Sequence, residues 1–210
     1  MTPNQYALAL HTTTRQLGLA INNFQGDHRC QTWDLGRELS SHLHQYLLEF
    51  LAPQGWDDLA FLAVAKGPGG FTGTRIGVVT ARTLAQQRQI PVFAISTLAA
   101  IAWSEKDQAI SNTFAVQMEA RRGQFFVGIY QLAESGLRTE LSDTTMTPEA
   151  WQETLNNLQI PFQLIEAPSV LGSTASSILD LAYRLWEQGE RPSWSQALPF
   201  YGQHPVEGAV

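Results

Sequence analysis

The chain has 210 residues, which allows one large domain or two small ones, and its 44% hydrophobic against 15% charged residues place it among globular rather than disordered proteins. Thirteen Lys plus Arg against nineteen Asp plus Glu give a net charge of -6, and Lys66 and Lys106 are the only lysines. The basic footprint by which an autonomous nucleic-acid binder neutralises phosphates is therefore missing. Cys30 is the only cysteine, which excludes an intrachain disulfide and a thiolate zinc cage made by this chain alone and fits a reducing compartment. The apolar run Tyr6 to Leu10 is too short for a signal peptide or a membrane span, and no basic n-region precedes it, so a soluble cytoplasmic protein is expected.

Tyr6 to Leu10 and Leu17 to Ile21 are strand-length apolar runs around the polar turn His11-Thr-Thr-Thr-Arg-Gln16, with a third strand expected at Arg29 to Trp33. From Arg37 to Leu51 the period becomes helical: Leu39, Leu43, Tyr46, Leu47 and Phe50 form one stripe. Leu48 and Leu51 widen it to about 200°, more than one core requires, which predicts a second contact. Pro53 and Gly55 stop this helix. Leu59 to Ala65 is apolar without alternation, as in a strand covered on both faces. A glycine loop from Gly67, a helix from about Thr72 to Gln87, a strand from Pro91 to Ile95 and a short helix capped by Ser96 or Thr97 follow.

A soft boundary falls at Ser104 to Asn112, dividing the chain into 1–103 and 104–210. Beyond it, strands are predicted at Thr113 to Met118 and Gln124 to Tyr130, around the turn Glu119-Ala-Arg-Arg-Gly123. Met146-Thr-Pro-Glu149 starts a helix to about Asn157. A short strand is expected at Phe162 to Ile165, an amphipathic helix at Ser173 to Glu187, and an irregular tail with Pro192, Pro199 and Pro205.

Lys66-Gly-Pro-Gly-Gly-Phe-Thr-Gly-Thr-Arg-Ile-Gly77 is the most distinctive stretch. Strand, glycine loop and helix suit an anion, because amides at a helix start point outward. A Walker loop needs Gly-Lys-Ser/Thr where Gly73-Thr74-Arg75 stands, and Thr72 occupies the place of the third glycine of the dinucleotide fingerprint. Close packing is the other use of glycine. Gly73, Gly77 and Ala81 leave one side of the helix nearly flat for another backbone, while Ile76, Val79 and Val78 make other sides apolar.

The N-terminal hairpin, the loop Gly67 to Gly77, the turn Glu119-Ala-Arg-Arg-Gly-Gln124 and the late Leu198-Pro-Phe-Tyr201 together resemble the TsaB (YeaZ) family over nearly the whole chain. The resemblance implies an α/β fold of two related lobes of the actin-like ATPase (ribonuclease H-like) type, with mixed sheets flanked by helices. It implies a non-catalytic partner of TsaD in forming threonylcarbamoyladenosine on tRNA, with TsaE, an ATPase, completing the assembly. It leaves room for a nucleotide at the complex interface, none being expected in the isolated chain, and for a homodimer when TsaD is absent. Active ATPases of that superfamily carry a carboxylate in the first hairpin turn, where this chain has His11 before three threonines; Glu119 stands where an Asp is usual in the second.

The partner surface expected on these grounds comprises Leu39, Leu43, Tyr46 and Leu47 of the first helix and Gly73, Arg75, Ile76, Gly77, Val79 and Thr80 of the second, with Gly77→Leu abolishing assembly and leaving the monomer folded. Arg121 and Arg122 are candidate contacts to an anion or to tRNA, which is otherwise reached only through the complex. No metal site is expected: His42 and His44 lie about 200° apart on a helix, and His28 and His204 have no partner pattern. No Gly-x-Ser-x-Gly elbow occurs and nothing near Cys30 activates it, so no catalytic residue is assigned. Trp151, Trp186 and Trp194 are read as packing residues. The rival reading is an ATP-binding enzyme of the same fold acting alone, with the glycine loop as its phosphate site.

Overall fold

Along the first strand, β1 (Tyr6–His11), Leu8 and Leu10 fall in one buried cluster and Ala7 and Ala9 in another, as the two-residue period of a strand requires. The division continues through β2 (Gln16–Asn22) and β4 (Leu59–Ala65), with Leu17, Leu19, Leu62 and Val64 on one face and Ala20, Ala63 and Ala65 on the other. In the computed structural model, which describes residues 1 and 4–202, these strands join β3 (His28–Asp34) and β5 (Val92–Ile95) in a sheet of order β3-β2-β1-β4-β5. The first three are an antiparallel meander; β4 and β5 add in parallel.

Each face takes the helix its side chains admit. The large-residue face is covered by α1 (Leu39–Leu51) and α2 (Phe71–Arg88), which contribute Leu39, Leu43, Leu47, Val78, Ala81 and Ala85 to the same cluster. The alanine-rich face receives α5 (Ala175–Glu187) through Ala175, Ile178, Leu179 and Ala182. Small residues let the turn that leads into it come close: a Cβ on Gly18 would stand 2.0 Å from the Gly172 carbonyl oxygen.

The second sheet, β6 (Thr113–Glu119), β7 (Phe125–Ala133), β8 (Gly136–Met146) and β9 (Gln163–Glu166), has the order β8-β7-β6-β9. A meander with one parallel strand beside its first member repeats the arrangement β3-β2-β1-β4. Its inner face packs on α3 (Thr97–Ser104), capped by Ser96, whose Oγ accepts from the Ala99 amide. Its outer face packs on α4 (Pro148–Asn156) through Trp151 and Leu155. The layers run α1 and α2, sheet, α3 and α5, sheet, α4, which is the α/β architecture of two related lobes expected from the sequence.

Three features differ from the sequence reading. β8 was not foreseen; Arg138, Thr139, Glu140 and Ser142 are exposed along it, so its apolar alternation is faint. The division at 103/104 does not separate the packing units, since α5 covers the first sheet. The tail also returns there: the Val92 amide donates to the Pro192 carbonyl (3.2 Å) and the Phe200 amide to the Lys66 carbonyl (2.7 Å). His204 and Pro205 lie outside the described residues.

The third difference concerns the helices of the expected partner surface. Leu39, Leu43, Leu47 and Thr80 are buried within the chain's own core and are not surface residues. The flat side of α2 is likewise occupied from within. Thr12 Oγ1 donates to the Gly73 carbonyl at 2.8 Å, a Cβ on Gly73 would stand 2.1 Å from the Thr12 carbonyl oxygen, and one on Gly77 2.1 Å from Thr12 Oγ1. Glycine does allow a close backbone here, but that backbone is the β1–β2 turn of the same chain. Gly77→Leu is therefore expected to destabilise the isolated chain by at least about 2 kcal/mol through overpacking, rather than leave it intact. Urea unfolding of the purified variant checks this; an unchanged midpoint would refute the packing assignment.

Candidate functional site

The glycine loop lies directly on the turn between β1 and β2. The Gly70 amide donates to the Thr13 carbonyl at 2.7 Å, and a Cβ on Gly69 would stand 2.5 Å from that same oxygen. Gly67 and Gly69 adopt φ of 102° and 155°, conformations that side chains disfavour, so the loop can pass so close only as glycine. Thr74 Oγ1 closes the first turn of α2 by donating to the Gly70 carbonyl at 2.8 Å.

Opposite this loop stands the turn between β6 and β7, where Arg122 takes a left-handed φ of 61°. The two turns, the glycine loop and residues 167–169 enclose a cleft between the lobes of about 900 Å³. Thr13, Thr14 and Arg15 meet Glu119, Arg121 and Arg122 there, with Gly73 at the start of α2 and Tyr201 packed on Phe71 at 4.4 Å between ring centres. Segments far apart in sequence thus converge on one site. Arg15 pairs with Asp34 at 2.8 Å on the surface, and Glu119 and Arg122 are exposed.

His11 is not part of that cleft wall. It is fully buried at the end of β1, with Nε2 at 3.4 Å from Thr13 Oγ1, which in turn receives the Thr97 hydroxyl at 3.4 Å. If Thr97 donates to Thr13 and Thr13 to His11, Nε2 is the acceptor and the ring proton sits on Nδ1, which has no hydrogen-bond partner among the described residues. Burial lowers the imidazole to about 3, so the ring is neutral at physiological pH. Neither cation nor carboxylate faces the cleft from this position.

The outer faces of α1 and α2 form a second feature. Leu48 is 58% exposed and Val79 52% exposed, Arg75 is exposed, and Tyr46 and Ile76 are half-buried. Both helices start together, since a Cβ on Gly73 would lie 3.6 Å from Leu39 Cδ2. Leu48 was foreseen only as a residue that widens the helix's apolar arc, and that excess width is the signal that marks it. His42 Nδ1 donates to the Glu38 carbonyl (3.2 Å), and among the described residues no three His, Cys, Asp or Glu side chains gather as metal ligands. Trp151 is buried with Nε1 donating to Gln117 Oε1 at 2.8 Å, Trp186 stacks on Phe61 and Trp194 lies under Arg82, all packing positions. No helix among the described residues is long and apolar enough to cross a membrane.

The sequence pattern of the family TsaD, tRNA N6-adenosine threonylcarbamoyltransferase, matches residues 37–181. The chain is similar to the tRNA threonylcarbamoyladenosine biosynthesis protein TsaB of Bacillus subtilis (strain 168), with 40% identity over 113 residues that cover 53% of this chain and 46% of that protein. Against the protein of the same name from Escherichia coli (strain K12), identity is 28% over an alignment of 220 residues, 95% of each chain. Among solved structures, YeaZ from Pseudomonas aeruginosa superposes with a TM-score of 0.77 at 26% identity, covering 94% of this chain and 99% of that one.

The buried imidazole has a consequence for acid stability. Unfolded His11 takes up a proton near pH 6.5, whereas the folded ring resists until about pH 3. Protons bind the unfolded state preferentially in between, so this residue's contribution to stability is lost as pH falls below 6.5, at up to about 1.4 kcal/mol per pH unit. His11→Leu should flatten the fall in unfolding free energy between pH 6.5 and 4, measured by urea titration at each pH. Parallel curves for wild type and variant would show that the ring protonates in the folded state.

Proposed function

We propose that this chain, which belongs to the TsaD family of tRNA N6-adenosine threonylcarbamoyltransferases and within it to the TsaB (YeaZ) branch, is the non-catalytic partner of a TsaD-type subunit in forming threonylcarbamoyladenosine on tRNA. The observation that carries this reading is the apolar outer face of α1 and α2, where Leu48 and Val79 stay more than half exposed on helices whose inner sides are already filled. Isolated apolar residues on a surface mean little, but two neighbouring helices that both keep a large aliphatic side chain outward make a docking face. Arg75 and the half-buried Tyr46 and Ile76 flank it. Of the partner surface expected from sequence, these three and Val79 are retained, Leu48 is added, and Leu39, Leu43, Leu47, Gly73, Gly77 and Thr80 act indirectly by fixing the two helices.

The role extends to a cytoplasmic assembly with a TsaE-like ATPase, tRNA being engaged through the complex, and to a second copy of this chain on the same face when the TsaD-type subunit is absent. Arg121 and Arg122 at the cleft mouth serve as the contact to a phosphate of tRNA or of a nucleotide at the complex interface. The cleft itself favours the rival reading of an ATP-using enzyme, since it is large and has a glycine loop at a helix start. Against it stands the neutral, buried His11, which offers no oxygen ligand to the magnesium that accompanies phosphate. Calorimetric titration of the isolated chain with ATP and magnesium separates the two, micromolar binding with turnover supporting the enzyme.

Replacing both Leu48 and Val79 by Asp should leave the isolated chain folded and weaken its binding to the TsaD-type subunit of the same cell by about 30-fold or more. Co-purification and an assay of tRNA modification read the effect. Undiminished binding by the folded double variant would overturn the assignment of this face.

A further inference from the structure

Between β5, the start of α3, β8 and the last turns of α5 lies a second cavity, of about 440 Å³, remote from the exposed side of α1 and α2. That volume lies within the range of small-molecule sites. Lys66 and Asp143 are its charged groups, Ser96, Tyr130, Ser135, Thr139, Ser142 and Gln188 add neutral polar ones, and Ile95, Ala99, Leu137, Leu181 and Leu185 make its apolar wall. Tyr130 is fixed in place: its hydroxyl donates to Asp143 Oδ1, lies 3.1 Å from Ser96 Oγ, and stands where a Cβ on Gly128 would collide with it.

Two opposite charges in this cavity form no salt bridge among the described residues. Asp143 Oδ2 is buried and has no hydrogen-bond donor among the described residues. Lys66 forms no ion pair among them either, although its charge is felt at Asp143. Burial raises the Asp143 carboxyl above its ordinary range, against the influence of Ser96, Tyr130 and Lys66. Such groups are normally satisfied within the fold, by water or by a ligand. A simple anion would meet Lys66 but be repelled by Asp143, and a simple amine would meet Asp143 but be repelled by Lys66. A molecule carrying both signs answers both, and the aliphatic wall accepts an aliphatic side chain.

We propose that this cavity binds a small zwitterion, an aliphatic α-amino acid, with its ammonium group donating to Asp143, its carboxylate at Lys66 and its side chain against Leu137, Leu181 and Leu185. Oδ1 of Asp143 keeps the Tyr130 hydroxyl as its donor, which leaves Oδ2 as the oxygen that accepts from the ligand. The site is independent of the partner role proposed above, because it needs no second subunit.

The test uses the isolated full-length chain and three molecules of one skeleton: L-leucine, 4-methylpentanoate, which lacks the amine, and 3-methylbutylamine, which lacks the carboxylate. Calorimetry and saturation-transfer NMR should show leucine binding at least about tenfold tighter than either single-charge analogue. Lys66→Met and Asp143→Asn should each weaken it by a similar factor, and Ala99→Leu, which fills the cavity, should abolish it. Near-UV circular dichroism identifies any variant that fails to fold, leaving the others to decide. No binding of leucine at about 10 mM, equal binding of the three molecules, or binding untouched by the folded variants would each overturn the proposal.

Discussion

The contact between the β1–β2 turn and the first two turns of α2 decides the rest of the architecture. Thr12 and Thr13 lie so near Gly69, Gly73 and Gly77 that any Cβ there would strike their backbone or hydroxyls. In exchange for side chains, α2 gains two hydrogen bonds to the turn, from Thr12 Oγ1 to the Gly73 carbonyl and from the Gly70 amide to the Thr13 carbonyl. A helix held so close along one line has a fixed rotation about its axis. That rotation sends Val78 and Ala81 into the core and leaves Arg75 and Val79 outside, so the external face is a consequence of the internal fit.

The same contact places the glycine loop at the edge of the cleft, and the rest of the cleft depends on how the lobes are joined. α3 and α5 lie between the two sheets and belong to both halves: Leu98 and Ile101 of α3 pack on the second sheet while Ala100 and Trp103 join the cluster of the first. The tail adds a strap from Lys66 to β8, where Thr145 Oγ1 donates to the Gly202 carbonyl at 2.8 Å. With shared helices and a strap, the two turns that face each other across the cleft are held at a set separation. Cutting the chain at its apparent boundary would strip the first sheet of the helix that buries its alanine face.

Much of this was legible because the strongest signals are local. The unrelieved apolar run Leu59 to Ala65 is β4, buried throughout, and the helical stripes of α1, α2 and α5 fall within a few residues of their expected limits. β8 escaped because it is an edge strand whose outward residues are charged or hydroxylated, leaving little periodicity. Part of the expected partner surface lies inside the chain's own core for a different reason. A stripe of Leu39, Leu43 and Leu47 or a row of glycines announces close contact, but only the tertiary fold says with what, and Thr12 is 61 residues from the glycine carbonyl it holds. His11 looked like a turn residue beside three threonines; the pairing of His11 with Gly18 instead extends the strand and draws the ring into the core. The cavity at Asp143 had no sequence signal, since its polar residues are scattered along the chain from Lys66 to Gln188.

If the chain acts as proposed, the distribution of charge bears on how it works with tRNA while carrying a net charge of -6. Free in solution, its overall field opposes approach to phosphate, and salt screening beyond about 10 Å reduces that effect without reversing it. Arg15, Arg121 and Arg122 sit at the cleft, yet Arg15 is matched by Asp34 and Glu119 stands among them, so the local excess of positive charge is small. An apolar face on α1 and α2 has no such handicap. Docking through it depends on desolvation of aliphatic side chains, which a net negative charge hardly affects. On the proposed reading, the phosphate affinity resides mainly in the partner, and this chain contributes a rigid pair of helices whose outward side is set by glycines on the inward side.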